Sequence, residues 1–417
     1  MKLPKMNETF YHILSNGLKI VHRPTQSPVV YVGIMVGAGT RHEKEDENGM
    51  AHYIEHCVFK GTEHYTARQL INHIEGIGGE INAYTTKEET TFYAATLRQH
   101  FRTTLHLLAD MVLRPKFLKR ETDKEVSVIL DEIESYNDSP SELIYDDFEN
   151  MVFQNSSLAM PILGTKKTLR KISKSPNIAL DWMARKYRPE CMVLFVLGNL
   201  TTKQVIAAAQ REFGDFVRET PHEQSEQLIL SDCQMDKTRV FRRHTHQTHI
   251  MLGARSYPIG HTKQLTMYLL NNILGGSSMS SRLYLSLREN HGLVYNIDSQ
   301  TTPLSDTGYW NIYLACEPHN KDHCIELCHK ELKKMRDVRL TSAQLQRALR
   351  QLQGQMAIAA ENQENNALAM AKQMMYYGYA PQWRDTFAKL QEVQPQQLQD
   401  VANDVYDEDN LFTLMYD

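Results

Sequence analysis

The feature that most constrains this chain is an internal repeat. The run Tyr31-Val32-Gly33-Ile34-Met35-Val36-Gly37 is mirrored in the second half by Thr248-His249-Ile250-Met251-Leu252-Gly253-Ala254. The same order follows both runs: a helix, a Gly-containing turn, paired strands, then amphipathic helices. Two copies of one unit imply two cores, and 417 residues are enough to bury both. The expected fold class is α+β, with two homologous α/β sandwich halves, each a mostly antiparallel sheet covered by helices. The expected boundaries are 1–216 for the first half and 238–417 for the second. The polar stretch 217–237, with Pro221 and several Glu and Gln, joins them as a linker.

Local patterns fill in the units. Tyr11–Leu14 and Leu18–Val21 flank Ser15-Asn16-Gly17, a hairpin signal. Val29–Val36 and Cys191–Gly198 are apolar enough for buried strands, and 80–85 and 90–97 alternate as strands do. Helical spacing marks 67–77, 100–113 and 202–213 in the first half, and a helical stretch over 341–377 in the second. The Met-rich and Tyr-rich end of that last stretch reads as ordinary packing.

The halves differ in chemistry. The first carries His52-Tyr53-Ile54-Glu55-His56. On a helix, His52 and His56 stand one turn apart on one face, and Glu55 lies about 60° round from His52. Two such imidazoles can grip one zinc ion, and a neighbouring carboxylate can take a proton from water bound to it. The same pattern also suits a partly buried polar face. Downstream, Glu125 and Glu132 fall within about 20° of each other on a second helix, at the edge of the apolar face of Val126, Leu130 and Ile133. Carboxylates there need a partner, either a divalent cation, a histidine N–H or surface lysines. At the matching place in the second half stands Tyr268-Leu269-Leu270-Asn271-Asn272, which lacks ionisable ligands. Loss of metal from one copy fits a division of labour.

Composition excludes other classes. A formal charge of −4 offers no basic footprint for nucleic acid. No stretch approaches the roughly 18 apolar residues of a membrane span, and residues 1–17 hold no apolar run of signal-peptide length. The six cysteines are scattered, as reduced thiols are in a cytoplasm, so a cytoplasmic location is expected. His319, His323, Cys324, Cys328 and His329 include possible ligands, but the cysteines also fit the apolar face of a plain helix. Glu88 and Glu89 read as a solvated acidic turn, with attraction for basic substrate residues as the alternative.

These motifs resemble a known family. Arg41-His42-Glu43 and the run from Gly49 to Thr62 are similar to the inverted-motif zinc peptidases, the family of pitrilysin, insulysin and mitochondrial processing peptidase. Gly78–Thr85 resembles that family's strand beside the active site, and Glu125 with Glu132 its paired glutamates. Gly275-Gly276-Ser277 and the run Leu287–Tyr295 resemble the catalytic-type subunit of the processing peptidases. The likeness spans about residues 10 to 410, and is closest to the short, single-pair bacterial members. Two departures stand out. The 75 residues between His56 and Glu132 are about one fewer than usual, and Cys57 replaces a larger apolar residue.

The resemblance implies a zinc metalloendopeptidase with one Zn2+ per chain, acting in a clamshell chamber between the halves. His52, His56 and Glu132 would be the metal ligands, and Glu55 the general base acting on zinc-bound water. Glu125 would orient a ligand histidine. Asn82 and Ala83 would pair with an extended peptide, and Arg288 and Tyr295 would reach the substrate carbonyl, unless Arg288 merely pairs with Glu289. The expected substrate is a peptide or unfolded polypeptide. The expected partner is a second chain, identical in a homodimer or related in a heterodimer. Two alternatives are a non-catalytic peptide-binding partner subunit and a structural protein of the respiratory-complex core type.

Overall fold

The computed structural model describes residues 8–218, 237–243 and 245–417. The expected linker lies, apart from residues 217, 218 and 237, outside the described residues. The chain folds into two compact units, each a mixed sheet covered by helices.

The first sheet contains β1 (Phe10–Ile13), β2 (Lys19–Pro24), β3 (Val29–Val36), β4 (Glu80–Thr85), β5 (Thr90–Leu97) and β6 (Met192–Gly198), in the order β1-β2-β6-β3-β5-β4. The hairpin expected at Ser15-Asn16-Gly17 forms, with Gly17 at φ +93°. On one face lie α1 (Met50–Val58), α2 (Ala67–Glu75), α3 (Phe101–Leu113), α4 (Lys119–Asn137), then, after an intervening α5 (Pro140–Val152), α6 (Lys166–Ile172), α7 (Pro176–Lys186) and α8 (Thr202–Phe213).

The second sheet has β7 (Thr238–Phe241), β8 (Thr248–Arg255), β9 (Val294–Pro303), β10 (Gly308–Cys316) and β11 (Phe412–Tyr416), in the order β7-β11-β8-β10-β9. Its helices are α9 (Gln264–Gly275), α10 (Lys321–Asp337), α11 (Ser342–Ala359), α12 (Gln363–Tyr377), α13 (Trp383–Leu390) and α14 (Pro395–Val405). The repeat is now visible strand by strand. The series β2-β6-β3-β5-β4 and β7-β11-β8-β10-β9 share order and sense, with one parallel pair each, β2 with β6 and β7 with β11.

Each unit, however, takes one helical segment from the other half of the sequence. Ser135–Ala159, which carries α5, belongs to the second unit, and Ala360–Pro381, which carries α12, belongs to the first. The cause is apolar surface on both faces of both sheets. In β6, Met192, Leu194 and Val196 belong to the core shared with α1 to α4 and α6 to α8, while Val193, Phe195 and Leu197 face the other way. That second face is covered by Ala367, Met370, Ala371 and Met374 of α12. In the second unit, Met251, Tyr309 and Leu414 are covered by Ile144, Phe148 and Met151 of α5. The helical stretch read over 341–377 is therefore two helices. It breaks before Asn362, whose side chain accepts the Asn365 N–H and caps α12.

Among the described residues, no helix is long and apolar enough to cross a membrane. A chain ending at residue 216 lacks α12 and exposes Met35, Val193, Phe195 and Leu197. Such a fragment is expected to bind a hydrophobic dye and to melt without cooperativity. A dye-free monomer with a sharp melting transition would count against this account of the exchange.

Candidate metal centre

Helix α1 is positioned by a carboxylate outside it. Gly49 is its N-cap, at φ +91°, and has no side chain to cap with. A Cβ there would also come within 2.8 Å of Gly164 Cα, so glycine is required on two counts. Glu43 supplies the cap instead. Its Oε1 accepts the Ala51 N–H at 2.7 Å, and its Oε2 accepts the Gly49 N–H at 2.8 Å and Asn48 Nδ2 at 3.2 Å. Burial pushes the Glu43 carboxyl up to about 8, against the pull of those three donors. A carboxylate at a helix N-terminus also complements the helix dipole.

With that end fixed, Met50, Ala51, Tyr53, Ile54, Cys57 and Val58 fill the core. Cys57 packs there as a small apolar side chain, as expected. His52 and His56 project from the remaining face, their ring centroids 4.6 Å apart. Helix α4 brings Glu132 to them. Glu132 Oε2 lies 3.8 Å from His52 Nε2 and 3.5 Å from His56 Nε2. One ligand atom from each residue falls within 4.8 Å of the others. Ligands about 2.0–2.1 Å from a tetrahedral zinc stand roughly 3.3 Å apart, so two nitrogens and one carboxylate oxygen at these separations fit the ion. Across the 75 residues between His56 and Glu132, α4 brings the carboxylate to the face of the histidine pair.

The neighbours reinforce the fit. His56 Nδ1 is 3.3 Å from Glu125 Oε2, which leaves Nε2 facing Glu132. Glu125 Oε1 is in turn 2.8 Å from Lys60 Nζ. Thr85 Oγ1 donates to Glu55 Oε2 at 2.6 Å. Burial lowers His52 to about 4, helped by His56 and opposed by Glu132, so its ring is neutral with a lone pair to offer. Burial also lowers His56, but the hydrogen bond and charge of Glu132, with Glu125 and Glu55, outweigh it and raise the net value. The hydrogen bond from His56 holds Glu132 below the usual carboxylate range. Burial raises Glu55, partly offset by the Thr85 hydroxyl. Three carboxylates thus crowd two histidines, and a divalent cation relieves the excess negative charge.

The second unit shows the same frame without these groups. Glu132 and Gln355 are each thirteen residues into their helices, α4 and α11. In place of the His56–Glu132 contact, Asn272 Nδ2 donates to Gln355 Oε1 at 2.9 Å. In place of Glu55, Asn271 bonds to Ser299 through both its oxygen and its nitrogen. A neutral amide pair has replaced the charged one.

Other expected residues are distributed as follows. Asn82 and Ala83 lie on β4, the edge strand, opposite Tyr93 and Phe92. The Ala83 N–H is taken by the Asn82 side chain at 2.9 Å, outside the ladder. Arg288 and Tyr295 are in the second unit and stack on each other. The Arg288 guanidinium carbon is 5.1 Å from the Tyr295 ring centroid and 4.8 Å from that of Tyr284. Tyr295 is 75% exposed, and Arg288 sits on a π-helical turn, Tyr284–Glu289. Among the described residues Arg288 makes no ion pair, so pairing with Glu289 is not what holds it.

One surface reading needs correction. Glu88 and Glu89 are only 4% and 1% exposed. Glu88 pairs with Arg41, and Glu89 accepts from Lys372 Nζ and Tyr376 Oη, so this turn anchors α12 instead of meeting solvent. The residues around 319–329 gather no three-ligand group among the described residues. Cys324 and Cys328 are core residues of the second unit. Sequence reasoning missed Lys60 and Thr85. Lys60 is one turn beyond His56, a weak signal, whereas Thr85 depends on sheet register.

Comparison with known proteins agrees with this geometry. The family model described as insulinase (peptidase family M16) matches residues 19–166, and that described as peptidase M16 inactive domain matches 175–352. The uncharacterized zinc protease YmxG of Bacillus subtilis is 31% identical over 409 residues, 96% of each chain. An uncharacterized zinc protease of Rickettsia felis is 32% identical over 375 residues, 88% of each. Among solved structures, a protease from Helicobacter pylori superposes with a TM-score of 0.88 at 19% identity, covering 99% of this chain and 100% of that one. A peptidase M16 inactive domain from Pseudomonas fluorescens gives 0.89 at 18%, covering 98% and 97%. The chain belongs to peptidase family M16, the insulinase family.

Two substitutions probe the frame. Lys60→Met should weaken zinc binding about 10-fold or more by releasing Glu125, measured by competition with a fluorescent chelator. Unchanged affinity would remove Lys60 from the centre. Glu43→Ala should lower stability by about 1–3 kcal/mol in denaturant melts, since it strips the acceptors from the start of α1.

Proposed function

We propose that this M16-family chain is a zinc-dependent endopeptidase acting on peptides or unfolded polypeptide segments. The observation that carries the reading is the convergence of His52, His56 and Glu132 beside a half-buried Glu55 oriented by the Thr85 hydroxyl. His52 and His56 through Nε2, and Glu132 through its carboxylate, would hold the ion, and three protein ligands leave room for a fourth. When bound, zinc lowers the pKa of water to about 7 and polarises a carbonyl.

Glu55 takes a proton from the water that attacks the scissile carbonyl. It then delivers that proton to the departing amine, so the peptide and one water become a carboxylic acid and an amine. A raised Glu55 suits this role, because a base matched to working pH can both accept and release the proton. Glu125 keeps the His56 ring turned with Nε2 inward. β4 is the last strand of its sheet, so an extended peptide would add to it at Asn82 and Ala83 through its main chain, displacing the Asn82 side chain from the Ala83 N–H, which would favour unfolded segments over folded ones. Arg288, stacked but without an ion pair among the described residues, and Tyr295 carry donors suited to a substrate oxygen that gains negative charge.

A non-catalytic peptide-binding subunit is the competing reading, and the inactive-domain match is its support. That match covers residues 175–352, whereas His52, Glu55, His56 and Glu132 all lie in the other match.

A quenched-peptide library should be cleaved by the purified protein, silenced by a zinc chelator and restored by zinc. Glu55→Gln should keep its zinc and lose about 10²-fold or more in kcat. Glu132→Ala should lose the zinc itself. Cleavage indifferent to chelator, or full activity in Glu55→Gln, would sink the assignment.

A further inference from the structure

The Thr85 hydroxyl is 2.6 Å from Glu55 Oε2, an unusual partner for a carboxylate assigned to move protons. We propose that Thr85 is the positioning residue for Glu55, fixing Oε2 so that Oε1 alone faces the reacting water. This rests on the reading of Glu55 as the base. Three observations carry it.

The direction of the hydrogen bond follows from its surroundings. Thr85 is the cross-strand partner of Thr90, and their hydroxyl oxygens are 3.5 Å apart. Thr90 is fully buried, and its own proton goes to the Ala38 carbonyl at 2.8 Å. The Thr85 proton is therefore free to go to Glu55, and a carboxylate is the strongest acceptor in reach.

The contact also joins two rigid elements. Glu55 is on α1, anchored by Glu43 and by its apolar face, and Thr85 is the last residue of β4. Threonine is stiff at χ1, so the hydroxyl is held by the strand and does not follow the carboxylate. A free glutamate on a helix visits several rotamers, and a base that wanders by about 1 Å can lose on the order of 10²-fold in rate.

Finally, Thr85 ends the edge strand that carries Asn82 and Ala83. One strand would thus align the extended peptide and aim the base, so a peptide in register meets a base already in place.

The test compares Thr85→Val, which keeps the shape and removes the hydroxyl, with Thr85→Ser, which restores it. Thr85→Val should lower kcat by about 10-fold or more with KM unchanged, and Thr85→Ser should recover to within about 3-fold. Zinc content and Tm should match the wild type in both. A second readout needs neither zinc nor turnover. The infrared carboxylate band of Glu55, identified by the difference from Glu55→Gln in metal-free protein, should shift in Thr85→Val and not in Thr85→Ser. Wild-type kcat in Thr85→Val, a loss shared between kcat and KM, or a loss that tracks falling Tm overturns the proposal. If the wild-type protein shows no chelator-sensitive cleavage, the endopeptidase reading fails by itself. The infrared band then decides Thr85: an unshifted band overturns the contact, and a shifted one supports it.

Discussion

Both sheets are apolar on both faces, and the rest of the structure depends on how those faces are covered. A half-buried sheet needs one helical layer, but a strand such as Met192–Gly198, buried throughout, needs two. Each half of the sequence covers one face of its own sheet. The remaining faces are covered by α12 and α5, which hold the same place in the two repeats and are exchanged between units. The buried acids Glu88 and Glu89 make sense within this scheme. Glu89 anchors Lys372 and Tyr376, so the turn after β4 helps to hold the borrowed helix.

The metal centre uses what the core leaves over. Helix α1 commits most of its surface to apolar packing, so only one narrow face is left for His52 and His56. Its N-terminus has a glycine where a capping side chain would stand, and Glu43 satisfies the amides from outside. Helix α4 is likewise apolar at Val126 and Ile129, with Glu125 and Glu132 beside that face. The core therefore sets where the four groups meet, and outer contacts from Lys60 and Thr85 set how they are turned.

The second unit is the control for this arrangement. It repeats the strands and the helix pair, but Asn272 and Gln355 meet where His56 and Glu132 meet, and Asn271 is tied to Ser299. Amides satisfy one another at no net charge, so that contact calls for no cation. The first unit places three carboxylates against two histidines and a lysine, an arrangement that a neutral core would not choose. The contrast separates the charge excess from what the fold itself requires.

Much was legible in the linear chain. The repeat, most strand limits and the histidine pair follow from periods of 2 and 3.6 and from a spacing of four between His52 and His56, all local properties. The resemblance added Arg288 and Tyr295, and gave Glu132 its part as a ligand and Glu125 its part in orienting one, roles that no local pattern reveals. Tertiary structure alone decided the rest. Which unit α5 and α12 join depends on apolar area on sheet faces far away in sequence. Whether Glu88 and Glu89 meet water or cations depends on Arg41 and on a helix about 280 residues on. That Thr85 reaches Glu55 depends on the register of β4 against β5 and on the placement of α1 over them. Periodicity shows which side of an element is apolar, but only packing shows what that side meets.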